Sequence, residues 1–437
     1  MNTVVVHPRY LILPVSLMLS LPAESVRAEF GGNIAAGFSD NIARTDGNEI
    51  SERVLAARVG GEATAQSPGS EGEVRWELGA ITYSGETFDD EGLASLDGLA
   101  RIDLVGNRVF WSFRDWLGRS SLDPFAPVTP ASTEYVNYFS TGPRFLLPLS
   151  DHAAVDLSMD YGDVWYEEQQ LDSSRASAQV GLRFALSARS SFGIYTADEE
   201  VDFDDGSLYP SYESYRTYLQ YETQRRRSDA RLALGSSRIR RAGVGSDSPT
   251  LEAAWVRQLS AYGSFTLEAT KGFSDAGELL GQGGLGAGGI TPEQFVVSSA
   301  DPVDLTYFLA EFSVDRTRSS ASIGYTFTRQ EFESVEPVSD YEVPYWQVRY
   351  SRRFSPGLRV GLAGSYSEQE LAAESRVDRE RSVAINFSWD IGRDTIVDVE
   401  LMRLSRTSSA QGSVFEENRV FVTLGHGAGL SRFESGL

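Results

Sequence analysis

The chain has 437 residues, no cysteine and a net charge of −23. The missing cysteine excludes disulfide scaffolds, thiol chemistry and cysteine-built metal sites, and the negative charge argues against nucleic-acid binding, which needs a basic surface. A hydrophobic content of 41% is low for a soluble protein with several buried helices. It suits a membrane β-barrel, in which one half of each strand faces lipid and the other faces a polar lumen.

The N-terminal segment 1–28 has the features of a secretory signal peptide. A weakly basic start at His7 and Arg9 precedes an apolar stretch at 11–23, and Val26-Arg27-Ala28 places small residues where a signal peptidase cleaves. The stretch is too short and too broken to span a bilayer as a helix. We therefore predict cleavage after Ala28 and export across a bacterial inner membrane.

From residue 30 to residue 424 the dominant pattern is an alternation of apolar and polar residues. Trp346, Val348 and Tyr350, for example, alternate with Gln347 and Arg349. A period of two predicts strands with one apolar face. The same alternation recurs at 179–187, 320–328, 358–363 and 382–389. Because the polar face carries many charges and no helix covers either face, the pattern favours a barrel over a soluble sandwich.

Between residues 148 and 413, short and long polar connections alternate strictly. The predicted short turns are 148–151, 188–190, 259–261, 315–318, 354–357 and 390–393. The predicted longer loops are 166–174, 200–212, 240–249, 274–302, 333–340, 369–377 and 406–413. Outer-membrane barrels have tight periplasmic turns and longer outer loops.

The fold prediction is all-β: a single transmembrane antiparallel up-and-down β-barrel spanning 29–424, with both ends in the periplasm. We predict twenty strands. Eighteen is the alternative, depending on whether 105–108 is a turn or a bend within one strand. The last strand is predicted at 419–424, with a C-terminal tail at 425–437.

A barrel of this size encloses an aqueous lumen, and the alternation predicts which side chains line it. The predicted lumen-lining residues are Arg75, Glu77, Arg183, Arg216, Gln220, Glu222, Arg349 and Arg359. A pore lined by both signs of charge suits hydrated polar solutes, although charges paired across strands are common in any barrel interior. The connections 274–302 and 117–131 are long enough to fold inward, so the sequence leaves open whether the lumen is plugged.

Two stretches carry distinctive residues. The first is Ser39-Asp40-Asn41, and the second contains Phe110-Trp111, Asp115, Asp123-Pro124-Phe125, Pro130, Asn137 and Ser140-Thr141-Gly142-Pro143. With these residues the chain resembles the β-barrel porin family associated with exopolysaccharide export loci and the PEP-CTERM sorting system. The resemblance implies an outer-membrane barrel that works beside polysaccharide synthesis and export, and it carries over no catalytic residue. The chain departs from the usual barrel ending, because Phe433 lies near the C-terminus but not at it.

Catalysis and bound cofactors are not expected. An outer-membrane hydrolase needs a histidine base beside a serine or a carboxylate, and after the signal segment only His152 and His426 remain, in a predicted turn and in the predicted tail. The acidic segment 202–206 could attract calcium but lacks the spacing of an EF-hand and is interpreted as a solvated loop. The glycines at 281–289 are interpreted as part of a flexible loop, since no phosphate-binding motif follows them.

Arginine clusters fall at both predicted ends of the barrel. Arg225-Arg226-Arg227 is predicted to be a solvated periplasmic turn. Arg238, Arg240 and Arg241 lie at the outer end of a strand, at the depth of lipopolysaccharide phosphates, to which arginine binds in bidentate geometry. Contact with lipid phosphate and a plain solvated rim remain equal alternatives. The expected partners are therefore outer-membrane lipid and lipopolysaccharide, with polysaccharide and periplasmic export components implied by the resemblance.

Three functional hypotheses follow. The leading one is a route for an exopolysaccharide across the outer membrane, because the resemblance implies it. The second is a diffusion porin for small polar solutes, and the third is a non-conducting scaffold. A continuous wide bore would favour the polymer route, a constriction loop would favour the porin, and a lumen filled by loops would favour the scaffold.

Overall fold

The computed structural model describes residues 25–122, 126–206, 208–275, 277, 279, 301–332, 340–371, 375–410 and 412–427. These residues form twenty β-strands and one short 3-10 helix, Pro130–Ser132. The strands are β1 Ser25–Ser39, β2 Glu52–Ser67, β3 Ser70–Tyr83, β4 Glu91–Val105, β5 Val109–Ser121, β6 Thr133–Ser150, β7 Ala153–Tyr166, β8 Ser173–Ser187, β9 Ser190–Phe203, β10 Tyr212–Arg225, β11 Ser228–Arg241, β12 Val244–Gln258, β13 Gly263–Ser274, β14 Val303–Arg316, β15 Ser319–Phe332, β16 Tyr341–Ser355, β17 Leu358–Leu371, β18 Arg376–Asp390, β19 Thr395–Ser408 and β20 Phe415–Gly427. Within the described ranges, no helix is long and apolar enough to cross a membrane.

Each strand pairs antiparallel with the next one in the sequence, and the sheet closes on itself. The closing pair joins residues 31–39 of β1 to residues 419–427 of β20, so the described sheet has no open edge. The prediction of an up-and-down barrel is confirmed, and so is the count of twenty strands.

The stretch that left the strand count open is a turn between β4 and β5. The Asp103 carboxylate accepts hydrogen bonds from the backbone N–H groups of Val105 (3.1 Å) and Asn107 (2.6 Å). Gly106 and Asn107 have left-handed φ values of 39° and 60°, which glycine and asparagine adopt more readily than other residues. This turn separates two strands that the alternation alone leaves continuous.

Connections at the two ends of the barrel differ in length. At the short-turn end, two to four residues join consecutive strands, whereas at the loop end the longest connection is 275–302. One predicted long loop is wrong: at 240–249 the strands β11 and β12 continue to a two-residue turn. Its residues Ala242 and Gly243 have left-handed φ values of 48° and 82°, the geometry that tight hairpins favour. Likewise, β5 continues to Ser121, so the loop expected at 117–131 begins later, at residue 122.

The outer face of the barrel is apolar. Trp346, Val348 and Tyr350 of β16 lie on it and are largely exposed, whereas Gln347 between them is buried on the inner face. The strand register also places Phe387 and Trp389 outward, and Arg349, Ser351, Asn386 and Ser388 inward. An apolar outer surface is what lipid solvates.

Both ends of the barrel extend beyond the predicted limits. Strand β1 begins at Ser25, so cleavage after Ala28 would remove its first four residues, which pair with residues 63–66 of β2. The cleavage site stays a prediction, because residues 1–24 lie outside the described ones. Strand β20 continues to Gly427, and residues 428–437, including Phe433, also lie outside.

Candidate functional site

A loop at the loop end of the barrel contacts distant strands through Asp275. This residue follows β13, and its carboxylate accepts hydrogen bonds from Arg175 Nη2 of β8 (2.8 Å) and from the Tyr212 hydroxyl of β10. Arg175 also lies 3.5 Å from the Glu199 carboxylate. The side chains of Arg175 and Asp275 are both nearly inaccessible to solvent, so this is a buried ion pair reinforced by a tyrosine.

Further along the same loop, Leu279 joins opposite arcs of the wall. It is 3% exposed and packs in an apolar cluster with residues of β5, β6, β7, the β7–β8 loop and β14. The other buried members of the cluster are Trp116, Val136, Val164, Tyr166, Leu171, Val303, Leu305, Tyr307 and Leu309. Because β7 and β14 are not neighbours in the sheet, only a segment inside the barrel can contact both. We call Asp275, Gly277 and Leu279 the inward segment, and the face that it contacts is the lumen face.

Three other loops cover the lumen face of β20 and β1–β3, which we call the second arc. Ile42 of the β1–β2 loop and Phe88 of the β3–β4 loop pack on apolar lumen-face residues of β20 and β1–β3. In the same β1–β2 loop, Arg44 donates hydrogen bonds to the Val128 carbonyl of the β5–β6 loop and to Glu417 Oε2 of β20 (3.1 Å). Burial lowers the pKa of Arg44 to about 10, while the Glu417 carboxylate opposes the shift. Arg44 therefore stays charged at neutral pH.

Below the inward segment, the lumen face of β5–β14 carries three adjoining cavities. A cavity of 730 Å³ lies at the short-turn end, one of 320 Å³ follows, and one of 570 Å³ reaches Leu279 and Leu305. The first and second share Glu222 and Arg231, and the second and third share Tyr218 and Arg231. The three cavities thus form one continuous path from the short-turn end to the inward segment.

Paired charges line this path. Arg183 Nη2 lies 3.3 Å from Glu222 Oε2, and Arg231 Nη2 lies 3.3 Å from Glu252 Oε2. Two further hydrogen bonds, from Gln220 to Glu222 (2.7 Å) and from Arg231 to Gln220 (3.2 Å), connect these pairs. The result is a polar surface in which donors and acceptors alternate and much of the charge is internally balanced.

All eight predicted lumen-lining residues lie on the lumen face, but only some of them lie close to one another. Arg183, Gln220 and Glu222 are linked directly, and Arg216 lines the 570 Å³ cavity above them. On β3, Arg75 and Glu77 form ion pairs with Glu62 (3.2 Å) and Arg58 (2.9 Å). Arg349 and Arg359 lie on a third arc, on β16 and β17.

Several residues of the polar path were not singled out from the sequence. They are Arg114, Arg144, Asp160, Gln179, Tyr195, Arg231 and Glu252. All lie on strands and alternate in step with inward positions, so extending the same pattern to every strand would have found them. Asp275 lies in the loop that follows β13, where no alternation predicts the direction of its side chain.

The three arginines predicted to contact lipid phosphate do not share one face. On the outer face, Arg238 binds the Asp247 carboxylate (2.6 Å) and Arg240 stacks over the Tyr215 ring, 5.5 Å from its centroid. Arg241 lies on the lumen face, where it pairs with Asp301. The strand continues through position 241, so adjacent residues point to opposite sides.

The residues that carry the family resemblance connect neighbouring strands. Asn137 Nδ2 donates to Asp115 Oδ1 (2.8 Å), and Trp111 Nε1 donates to the Thr141 hydroxyl (2.7 Å), joining β5 to β6. Asn41 holds its own loop through a hydrogen bond from its side chain to the Thr45 carbonyl (2.9 Å). These contacts are structural, whereas Asp123, Pro124 and Phe125 lie outside the described residues.

The histidines and the acidic segment lie away from the polar path's centre. His152 is in the turn between β6 and β7, and His426 accepts or donates a hydrogen bond with Thr395 Oγ1 (2.9 Å) near the end of β20. The segment 202–206 ends β9 and enters the loop end. Among the residues that the structure describes, no group of three or more His, Asp or Glu side chains is arranged to hold a metal ion. The glycines at 281–289 lie outside those residues.

Comparison with known proteins gives only distant structural likeness. No family model and no curated protein matches the sequence. The FrpB iron transporter from Neisseria meningitidis is similar with a TM-score of 0.43 and 9% identity, covering 91% of this chain and 82% of that one. OccK2 (OpdF) from Pseudomonas aeruginosa, in complex with glucuronate, gives a TM-score of 0.40 and 12% identity over 93% of this chain and 99% of that one. OccAB4 from Acinetobacter baumannii gives 0.38 and 11%, over 93% and 100%. Likeness at this level assigns neither a family nor a substrate.

Proposed function

We propose that this chain is an outer-membrane pore for small polar solutes, exported by its N-terminal signal segment. The observation that carries the proposal is the continuous path of three polar cavities from the short-turn end to the inward segment. An apolar outer face around a polar interior suits a barrel that sits in lipid and holds water. The inward segment narrows this path, which favours small solutes over a wide bore.

The direct test is the conductance of the purified barrel in planar bilayers, together with the swelling of liposomes in sugars of increasing size. We expect a measurable conductance and uptake that falls steeply from monosaccharides to tetrasaccharides, because the inward segment limits the solute's width. If no current flows even after residues 276–300 are removed, the chain is a scaffold and not a pore.

A route for an exopolysaccharide is the second candidate. Its support is the family resemblance and the width of a twenty-stranded barrel. It requires the inward segment and the loops covering the second arc to move aside, since they cover the loop end of the lumen. A strain lacking the gene distinguishes the two candidates. Surface polysaccharide that disappears while synthesis inside the cell continues would favour the polymer route, and unchanged export would favour the porin.

The lumen arginines are expected to set ion preference. Replacing Arg183, Arg216 and Arg349 together by glutamine should shift the reversal potential towards cation selectivity, because fixed positive charge in an aqueous path repels cations. The shift should shrink at high salt, where screening shortens the reach of each charge. Arg379 of β18 lies on the outer face, as do Arg238 and Arg240 of β11. Replacing these three by glutamine is the matched triple control, and an equal shift in that control would contradict a lumen effect.

We also propose that Arg238 and Arg240 contact lipopolysaccharide phosphate. Both lie on the outer face near the loop end, and Arg238 is half exposed although it pairs with Asp247. Arginine binds phosphate oxygens in bidentate geometry. Arg241 is left out of this proposal because it points into the lumen.

A further inference from the structure

Two tyrosines form an aromatic stack on the lumen face, at the middle of the polar path. Tyr195 of β9 and Tyr218 of β10 are directly paired across the strands. Their ring centroids are 5.3 Å apart and their planes differ by 17°. Tyr195 is held against the wall by two glycines, since a Cβ at Gly181 or Gly193 would come within 2.1 or 2.4 Å of its ring. The wall is thus shaped around the lower ring of the stack.

The upper ring, Tyr218, is only partly buried. Its partner on β9 is Tyr195, but its partner on β11 is Gly235, which has no side chain to cover the ring. The Tyr218 hydroxyl donates to Gln179 Oε1 (2.7 Å), which fixes the direction of the ring. Tyr218 lines both the 320 Å³ and the 570 Å³ cavities. The stack therefore presents a rigid aromatic surface to the lumen, which we call the Tyr218 platform.

Donors and acceptors surround this platform. The 320 Å³ cavity is lined by Arg144, Arg231, Gln220, Asp160 and Glu222 as well as by the tyrosines. Both arginines already have carboxylate partners: Arg144 binds Asp156 (2.8 Å) and Arg231 binds Glu252 (3.3 Å). Balanced charge favours a neutral ligand that can both donate and accept hydrogen bonds.

We propose that the Tyr218 platform is a binding subsite for one neutral pyranose ring. The C–H face of a pyranose is apolar and stacks on an aromatic ring, while its hydroxyls match the mixed donors and acceptors at the edge. A cavity of 320 Å³ is at the small end of ligand sites, which span about 300–1,000 Å³, so the subsite holds a single sugar. The proposal rests on the proposed function only in that polar solutes must reach the lumen.

The test is saturation-transfer NMR of methyl β-D-glucopyranoside with the full barrel in detergent micelles. We expect the strongest transfer to H1, H3 and H5, which share one face of this sugar. Tyr218→Leu should weaken binding roughly tenfold, as expected for loss of an aromatic stacking partner, and Tyr218→Phe should retain most of it. Tyr221→Leu is the matched control, because Tyr221 lies on the same strand and faces outward.

A second variant keeps the test independent of any folding defect at position 218. Asp160 is exposed, so Asp160→Asn should preserve the fold while weakening sugar binding several-fold. Equal binding by wild type and both variants would overturn the proposal, and so would equally strong binding of mannitol, an acyclic polyol without a rigid C–H face. Binding is measured here without flow. If the barrel binds the glucoside but carries no current, the subsite is supported and the proposed pore function is contradicted. If it carries current but does not bind the glucoside, the pore function is supported and the subsite is contradicted.

Discussion

Asp275→Ala is expected to raise the single-channel conductance of the barrel several-fold. The substitution leaves Arg175 buried without its closest carboxylate and removes the acceptor of the Tyr212 hydroxyl. Breaking a buried ion pair costs about 3–5 kcal/mol, a loss large enough to release the inward segment from the wall. Once the inward segment leaves the lumen, the polar path is no longer narrowed above the 570 Å³ cavity. The measurement is the distribution of current steps in planar bilayers.

Asp247→Ala is the matched control for this prediction. It also removes the aspartate of an ion pair with arginine, but that pair is exposed on the outer face. Exposed ion pairs contribute little to stability. Its conductance should equal that of the wild type. Deleting residues 276–300 should reproduce the effect of Asp275→Ala. If the deletion variant conducts strongly but Asp275→Ala conducts like the wild type, contacts other than the Asp275 ion pair hold the loop.

Ile385→Arg is expected to lower the free energy of unfolding by about 2–4 kcal/mol, the cost of an arginine facing lipid near the bilayer midplane. Ile385 lies on the outer face of β18, paired with Leu362 and Leu401. Asn386→Arg, one position along and facing the lumen, should cost much less. Denaturant unfolding in lipid vesicles, followed by tryptophan fluorescence, measures both. Because a shift of one residue in register reverses every side chain, equal costs at the two positions would contradict this orientation.

Much of the barrel was predictable because one physical constraint repeats in every strand. A strand between lipid and water must alternate apolar and polar residues. The sequence therefore identifies both faces of β16 and β18 without any tertiary information. The turn at 105–108 was the ambiguous case, since Val105 and Val109 continue the apolar pattern on either side of it. The two strands are separated by the hydrogen bonds that the Asp103 carboxylate accepts from the turn and by the left-handed conformations of Gly106 and Asn107.

The error at 240–249 has the opposite cause. Ser246, Asp247 and Ser248 are polar on both faces of β12, so the alternation vanishes although the strand continues. A strand that extends beyond lipid at the loop end meets water on both sides and needs no apolar face. Loss of alternation therefore marks the edge of the apolar belt rather than the end of the strand.

The constriction could not be predicted from the sequence pattern. Asp275 meets Arg175 at a separation of 100 residues, and Leu279 packs against strands whose order around the barrel only the closed sheet defines. Loop length indicated that the connection could enter the lumen. Which side chains hold it there depends on long-range geometry that no local pattern encodes.

The closing seam between β1 and β20 determines how such a chain can assemble. Every other strand pair joins segments that follow one another in the sequence, whereas the hydrogen bond from Ser39 Oγ to Glu417 Oε1 (2.6 Å) spans 378 residues. Bringing such distant segments together costs the most chain entropy, and contacts of long sequence separation form slowly. We therefore expect hairpins to form first and the seam last. Until β20 pairs with β1, the edge of β1 that β20 will cover has unpaired backbone groups and can pair with a strand of another chain. Pairing of the final strand therefore determines whether the product is a closed barrel or an aggregate.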